Sequence, residues 1–129
     1  MKKMVYVILI FAVLGLAVTV LKKNGASQDT LLAKEIGSLL DKGETQIDLS
    51  ELTDFDWTQV ATFGPYTTNE VIEDSMEIKF KGNNGGIDIL EDRFLLVFAD
   101  EKYAIKTVVL SREYGNYDIK DNKFLSVEQ

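Results

Sequence analysis

The sequence contains no cysteine and no histidine. Their absence excludes disulfides, thiolate and imidazole metal ligands, thiol nucleophiles and the Ser-His-Asp type of hydrolytic machinery. None of the serines is followed three residues later by lysine, so the Ser-x-x-Lys arrangement is missing too. There is one proline and one tryptophan, no Asn-x-Ser/Thr sequon and no internal repeat. What is present is the composition of an ordinary folded domain, with 46% hydrophobic and 27% charged residues over 129 positions.

Charge is unevenly divided. Of the 14 basic residues, Lys2, Lys3, Lys22 and Lys23 fall in the first 23 positions, which hold no acidic residue. The remainder therefore has 10 basic and 21 acidic residues, a net charge of −11 beside the whole-chain value of −7. A domain this anionic lacks the cationic side chains that replace counterions on a phosphate backbone, so nucleic acid is not an expected partner. The same charge favours a basic protein partner and keeps the domain off anionic headgroups.

From Met4 to Leu21 there is no charge at all, and only Tyr6, Gly15 and Thr19 interrupt the aliphatic run. As a helix, these 18 residues would span about 27 Å, close to a hydrocarbon core of about 30 Å, with lysines able to snorkel at both ends. Residues 1–23 therefore read as a single-pass membrane anchor. Lys2, Lys3 and the terminal amine face Lys22 and Lys23 in nearly a tie for the positive-inside rule. Because a first helix with a short basic leader usually enters with its amino end cytoplasmic, the rest is expected outside the cytoplasm. The competing reading is a secretory signal. Its best small-residue pair, Gly25 and Ser27, would put the cut before Gln28 and release a secreted protein. A lipoprotein is excluded because there is no cysteine to acylate.

Residues 24–28 read as a short linker and 29–129 as one acidic domain of the α+β class. Leu31, Leu32, Ile36, Leu39 and Leu40 recur at helical spacing, with Asp29 as N-cap and Gly43 as terminator. Phe55, Trp57, Ala61 and Phe63 share one parity, predicting a strand with one buried face, and Gly64-Pro65 ends it. Thr67 and Glu70 have capping-box spacing, which predicts a second helix over about 67–75.

Met76, Ile78 and Phe80 alternate with charged residues as a strand would, and Gly82-Asn83-Asn84-Gly85-Gly86 reads as a hairpin turn before Ile87–Leu90. That glycine stretch lacks the spacing and the Lys-Ser/Thr ending of a P-loop. The run from Phe94 to Phe98 predicts a central strand, Tyr103 to Leu110 an antiparallel return, residues 113–123 a loop and Phe124 to Val127 a last strand. The expected architecture is two helices packed on one face of an antiparallel sheet of about four to five strands.

Asp54, Trp57, Tyr66 and Tyr117 are the candidate contact residues, because exposed aromatics supply large contact area at little entropic cost. No catalytic, cofactor-binding or metal-binding residue is expected, and no cofactor. The acidic loops lack an EF-hand pattern. The block Phe55-Asp56-Trp57-Thr58-Gln59-Val60-Ala61-Thr62-Phe63-Gly64-Pro65-Tyr66-Thr67 resembles the signature of a family of small bacterial envelope proteins, many of them lipoproteins. The resemblance covers about residues 48–110 and implies an extracytoplasmic domain without assigned activity. This chain departs from the lipoprotein members in lacking a lipobox cysteine.

The leading expectation is thus a membrane-anchored extracytoplasmic protein-interaction module. An inhibitor or immunity-type protein that neutralises a basic enzyme or toxin is a narrower form of it. The readings of other classes are a small cell-wall hydrolase using carboxylates among Asp54, Asp56, Glu91 and Asp92, and a structural spacer within a larger complex.

Overall fold

A computed structural model describes residues 25–114, 116–121 and 123–127. The predicted membrane span at residues 4–21 lies outside the described residues. Among those described, no helix is long and apolar enough to cross a membrane.

In chain order the elements are β1 (Ser27–Gln28), α1 (Thr30–Asp41), β2 (Gln46–Asp48), α2 (Leu49–Leu52), β3 (Gln59–Phe63), α3 (Asn69–Met76), β4 (Arg93–Ala99), β5 (Ala104–Ser111), a 3₁₀ turn (Arg112–Tyr114), β6 (Asn116–Lys120) and β7 (Lys123–Val127). They form two sheets, one in the order β1-β5-β4-β3 and one in the order β2-β7-β6. All pairings are antiparallel except β1 on β5, where Ser27 pairs with Lys106 and Gln28 with Thr107.

The α+β class therefore holds, but the arrangement departs from the single helix-covered sheet in three ways. There are two sheets, the larger one is mixed, and the helices lie on opposite faces of it. β4 explains the last point. Its residues are buried on both sides, so Phe94, Leu96 and Phe98 enter one core while Leu95, Val97 and Ala99 enter another.

The first core is covered by Leu32 and Ile36 of α1 together with Ile47, Leu49 and Phe124 from the region of the smaller sheet. Helix α1 matches its predicted span. Asp29 Oδ1 accepts the amide of Leu32 at 3.0 Å, and Gly43 ends the helix at φ +90°. Residues 113–123 are not a loop, because β6 is a strand whose register pairs Ile119 with Phe124. Its alternation of Tyr117 and Ile119 with Asp118 and Lys120 is too short to stand out in the sequence.

The second core is covered by Ile72 and Met76 of α3 and by Ile78, Phe80 and Ile87. Here two predicted strands do not form. Ile78 and Phe80 are buried as the alternation requires, but the chain makes only an isolated bridge from Lys79 to Tyr103 and another from Gly82 to Ala26. Residues 85–89 are turns, with Asn83 and Asn84 side chains accepting the amides of Gly85 and Gly86. The side-chain acceptors satisfy the backbone locally and replace a ladder.

The predicted single-faced strand from Phe55 to Phe63 also divides. Only Gln59–Phe63 is a strand, and its Ala61 and Phe63 lie in the α3 core, whereas Phe55 and Trp57 pack into the α1 core. Helix α3 begins at Asn69 rather than 67. Thr68, not Thr67, caps it by accepting the amide of Val71.

Candidate functional site

The four sequence candidates do not share one surface. Trp57 is half-buried, meets Phe98 edge-on with ring centroids 5.2 Å apart, and donates its indole N–H to Thr53 Oγ1 at 2.8 Å. That bond satisfies the polar end of the ring within the domain. Phe55 meets the same Phe98 edge-on from 5.3 Å, and Lys106 Nζ lies 4.6 Å from the Phe55 ring centre. Asp54 is exposed beside this cluster. Tyr117 is half-buried and stacks on Phe124 at 4.5 Å and on Phe94 at 5.4 Å, so it completes an aromatic column of the α1 core.

Tyr66 is placed differently. It is 62% exposed, and its backbone has φ +66°, the left-handed region that glycine or asparagine normally fills after a turn proline. Two bonds hold it there. Its amide donates to Ile87 O at 2.7 Å, and its phenol donates to Glu91 Oε2 at 2.9 Å. The bond to the carboxylate, followed by its negative charge, raises the Tyr66 pKa above the ordinary tyrosine value. Thr67 Oγ1 closes the turn by donating to Gly64 O at 2.7 Å.

Next to Tyr66, and missed by sequence reasoning, are two more large apolar side chains on the surface, Ile89 at 73% and Leu90 at 38% exposure. The turn around Gly86 presents them: Ile89 and Leu90 both donate their amides to Gly86 O. Gly86 has φ +78°, and a Cβ there would lie 2.7 Å from Leu90 Cδ1, so glycine lets the turn fold back under leucine. In the sequence Ile89 and Leu90 look like the buried half of a hairpin strand; only the turn exposes them. Asn84 Nδ2 donates to Asn69 Oδ1 at 2.8 Å, tying the same turn to the start of α3.

The result is an apolar patch built from two loops at the β4 amino-terminal end of the larger sheet. Asp88, Glu91 and Asp92 are exposed around it. Asp92 is held by Arg93, whose Nε lies 2.8 Å from Oδ1, and that hydrogen bond lowers the Asp92 pKa below the usual carboxylate range. Arg93 also donates to Gly85 O at 3.1 Å and Arg112 to Glu91 O at 3.1 Å, so the two cations at this end are engaged with its own backbone.

The carboxylates named as candidate acid and base are split between the two ends of β3 and β4. Asp54 and Asp56 precede β3 at the Ala99 end, whereas Glu91 and Asp92 precede β4 at the other. Seven strand residues separate the pairs by about 20 Å. Acid and base flanking one glycosidic bond lie within about 10 Å of each other, so the two pairs cannot act together. Among the described residues no group of three or more acidic side chains converges to hold a metal ion. A cleft of about 220 Å³ between the end of α1, β2 and α2 is lined by Leu39, Ile47 and Leu52 together with Glu44, Asp48 and Glu51. It is smaller than the roughly 300–1,000 Å³ of typical small-molecule sites. A cleft of about 460 Å³ lined by Glu73, Asp74, Glu77, Lys79, Glu101 and Lys102 and one of about 400 Å³ beside α1 and β5 fall within that range.

Comparison with protein families, with curated proteins and with solved structures finds no match to this chain in any of the three. The resemblance of the Phe55–Thr67 block to envelope proteins therefore stands on those residues alone.

Proposed function

We propose that the protein is a membrane-anchored, extracytoplasmic protein-interaction module of the bacterial cell envelope, without catalysis of its own. The observation that carries this reading is the Tyr66, Ile89 and Leu90 patch. Three large apolar groups are displayed on two turns whose backbones are fixed by internal bonds, and a left-handed tyrosine is the kind of local cost that a fold retains where the side chain is used. A preorganised aromatic anchor loses little entropy on binding. The uncharged run from Met4 to Leu21 supports the anchor, and the Phe55–Thr67 resemblance supports the envelope.

The acidic rim favours one narrower form, an inhibitor or immunity-type protein for a basic enzyme or toxin. Asp88, Glu91 and Asp92 beside the patch would steer a cationic partner and be screened by salt.

A photo-crosslinking side chain placed at Ile89 in cells tests the reading, with the same group at Lys34 on the exposed side of α1 as control. A discrete adduct from position 89 that disappears on Tyr66→Ala is the expected outcome. Equal adducts from both positions, or none from position 89, would overturn it. Protease added to wall-stripped cells should digest the domain, and protection until permeabilisation would overturn its outward placement.

A further inference from the structure

Residues 25–28, on the domain side of the apolar run, are part of the fold. Ala26 is 6% exposed, donates its amide to Lys81 O at 2.6 Å and bridges Gly82. The contact is so close that side chains are excluded from both flanks. A Cβ on Gly25 would lie 2.5 Å from Lys81 O, and one on Gly82 would lie 2.3 Å from Ala26 O; both glycines have positive φ. Ser27 and Gln28 then pair with β5, and the amide of Asp29 donates to Thr107 O at 2.8 Å. The expected linker 24–28 is thus folded from residue 25 onward, and a cut before Gln28 would remove a buried residue and half of β1.

This leaves Lys22, Lys23 and Asn24 between the apolar run and the fold. The four steps from Leu21 to Gly25 reach at most about 14 Å when fully extended. A headgroup layer takes about 5–8 Å of that reach. Because β1 runs parallel to β5, the chain enters at the end of the sheet marked by the Asp100–Tyr103 turn. At this end Lys79, Lys81 and Lys102 stand among Glu77, Asp100 and Glu101, with Asp54 and Asp56 before β3 and Glu73 and Asp74 of α3 alongside. This end is net negative like the rest of the domain, so what would hold it against the bilayer is the short reach of the chain from Leu21, not attraction to headgroups.

We propose that this end, with the Asp100–Tyr103 turn and Lys79–Gly82, is a membrane-facing surface seated on the lipid headgroups, and that the Tyr66 patch points away from the bilayer. The inference rests on the reading of residues 4–21 as a retained anchor. It implies that the patch, at the far end of β4 and about 20 Å higher, serves a partner approaching from outside the membrane rather than the protein's own bilayer.

The absence of native cysteine allows unique labelling. Full-length Lys102→Cys and Asp88→Cys proteins, each carrying a fluorophore, are reconstituted into phosphatidylethanolamine and phosphatidylglycerol vesicles containing a quencher lipid. Quenching several-fold stronger at position 102 than at 88 is expected. A Gly/Ser tether inserted after Lys23 should remove the difference without lowering the melting temperature. Equal quenching in protein that floats with the vesicles, or a difference that survives the tether, would overturn the inference while leaving the anchor intact. Protein that fails to float, or a membrane-bound chain from cells that begins after residue 25, would overturn the anchor reading itself.

Discussion

The two faces of the larger sheet are covered by different means. One carries regular elements, an amphipathic helix and a second sheet, joined through an aromatic column of Phe94, Phe124 and Tyr117. The other carries one short helix and a stretch from Ile78 to Leu90 that has burial without regular structure. On the first face packing is done by large side chains filling volume. On the second, glycine backbones and asparagine side chains hold the chain close while the apolar surplus, Ile89 and Leu90, is left outside. A face closed by side-chain volume tolerates little loss of volume, whereas one closed by backbone approach tolerates little gain.

Phe98→Ala tests the first half of that contrast most severely. The ring is fully buried and touched by Phe55 and Trp57, so its loss should cost about 3–5 kcal/mol in chemical denaturation. Loss below about 1 kcal/mol would show that the face repacks freely. Gly82→Ala tests the second half. One added methyl at φ +114° and 2.3 Å from Ala26 O should cost about 2–3 kcal/mol, while Gly43→Ala, with nothing within 4 Å of its Cβ position, should cost no more than about 1–2 kcal/mol from φ alone. Equal losses at the two glycines would mean that backbone approach does not govern this face.

Smaller effects sharpen the comparison. Asp29→Ala removes the cap of α1 and the 3.3 Å contact with Lys106, and should cost about 1–2 kcal/mol. Tyr66→Gly removes an exposed ring and relieves the left-handed backbone, so stability should stay within about 0.5 kcal/mol of the parent while crosslinking from position 89 is lost. The smallest is a titration. Tyr66 holds its proton more tightly when folded, so its contribution is present below about pH 10 and disappears as pH rises through the folded pKa. Glu91→Gln should bring the phenolate absorbance transition of this tyrosine to lower pH; an unmoved transition would mean that the bond is not formed in solution.

The same contrast decides what could be read from the sequence. The helical span of α1, its buried Leu32 and Ile36 and the Asp29 cap were legible because they depend on neighbours within one helical turn, whereas Leu31, counted in the same stripe, is 72% exposed. The β4 run was legible as a strand covered on both faces because it has no polar residue between Phe94 and Phe98. Ile78 and Phe80 were legible as buried, though not as non-strand, since alternation reports which side chains point inward and not what satisfies the backbone. For Trp57 the residue type suggested a contact surface; its bond to Thr53 is local, but its packing on Phe98 depends on a strand more than forty positions away. Only Tyr66 among the four contact candidates lies in the patch, and Ile89 and Leu90 were hidden because in sequence they look like core.

The pairing of Ser27–Gln28 with Lys106–Thr107 also bears on biogenesis. The strand made first finds its partner only when most of the chain has been synthesised, and closing so long a loop is slow relative to forming the local helices and hairpins. Until that moment the edge of β5 is open and Ala26 is unburied. Under the proposed export, the chain would stay unlocked along its path through a translocation pore, and the last piece to set would be the one proposed to lie beside the bilayer.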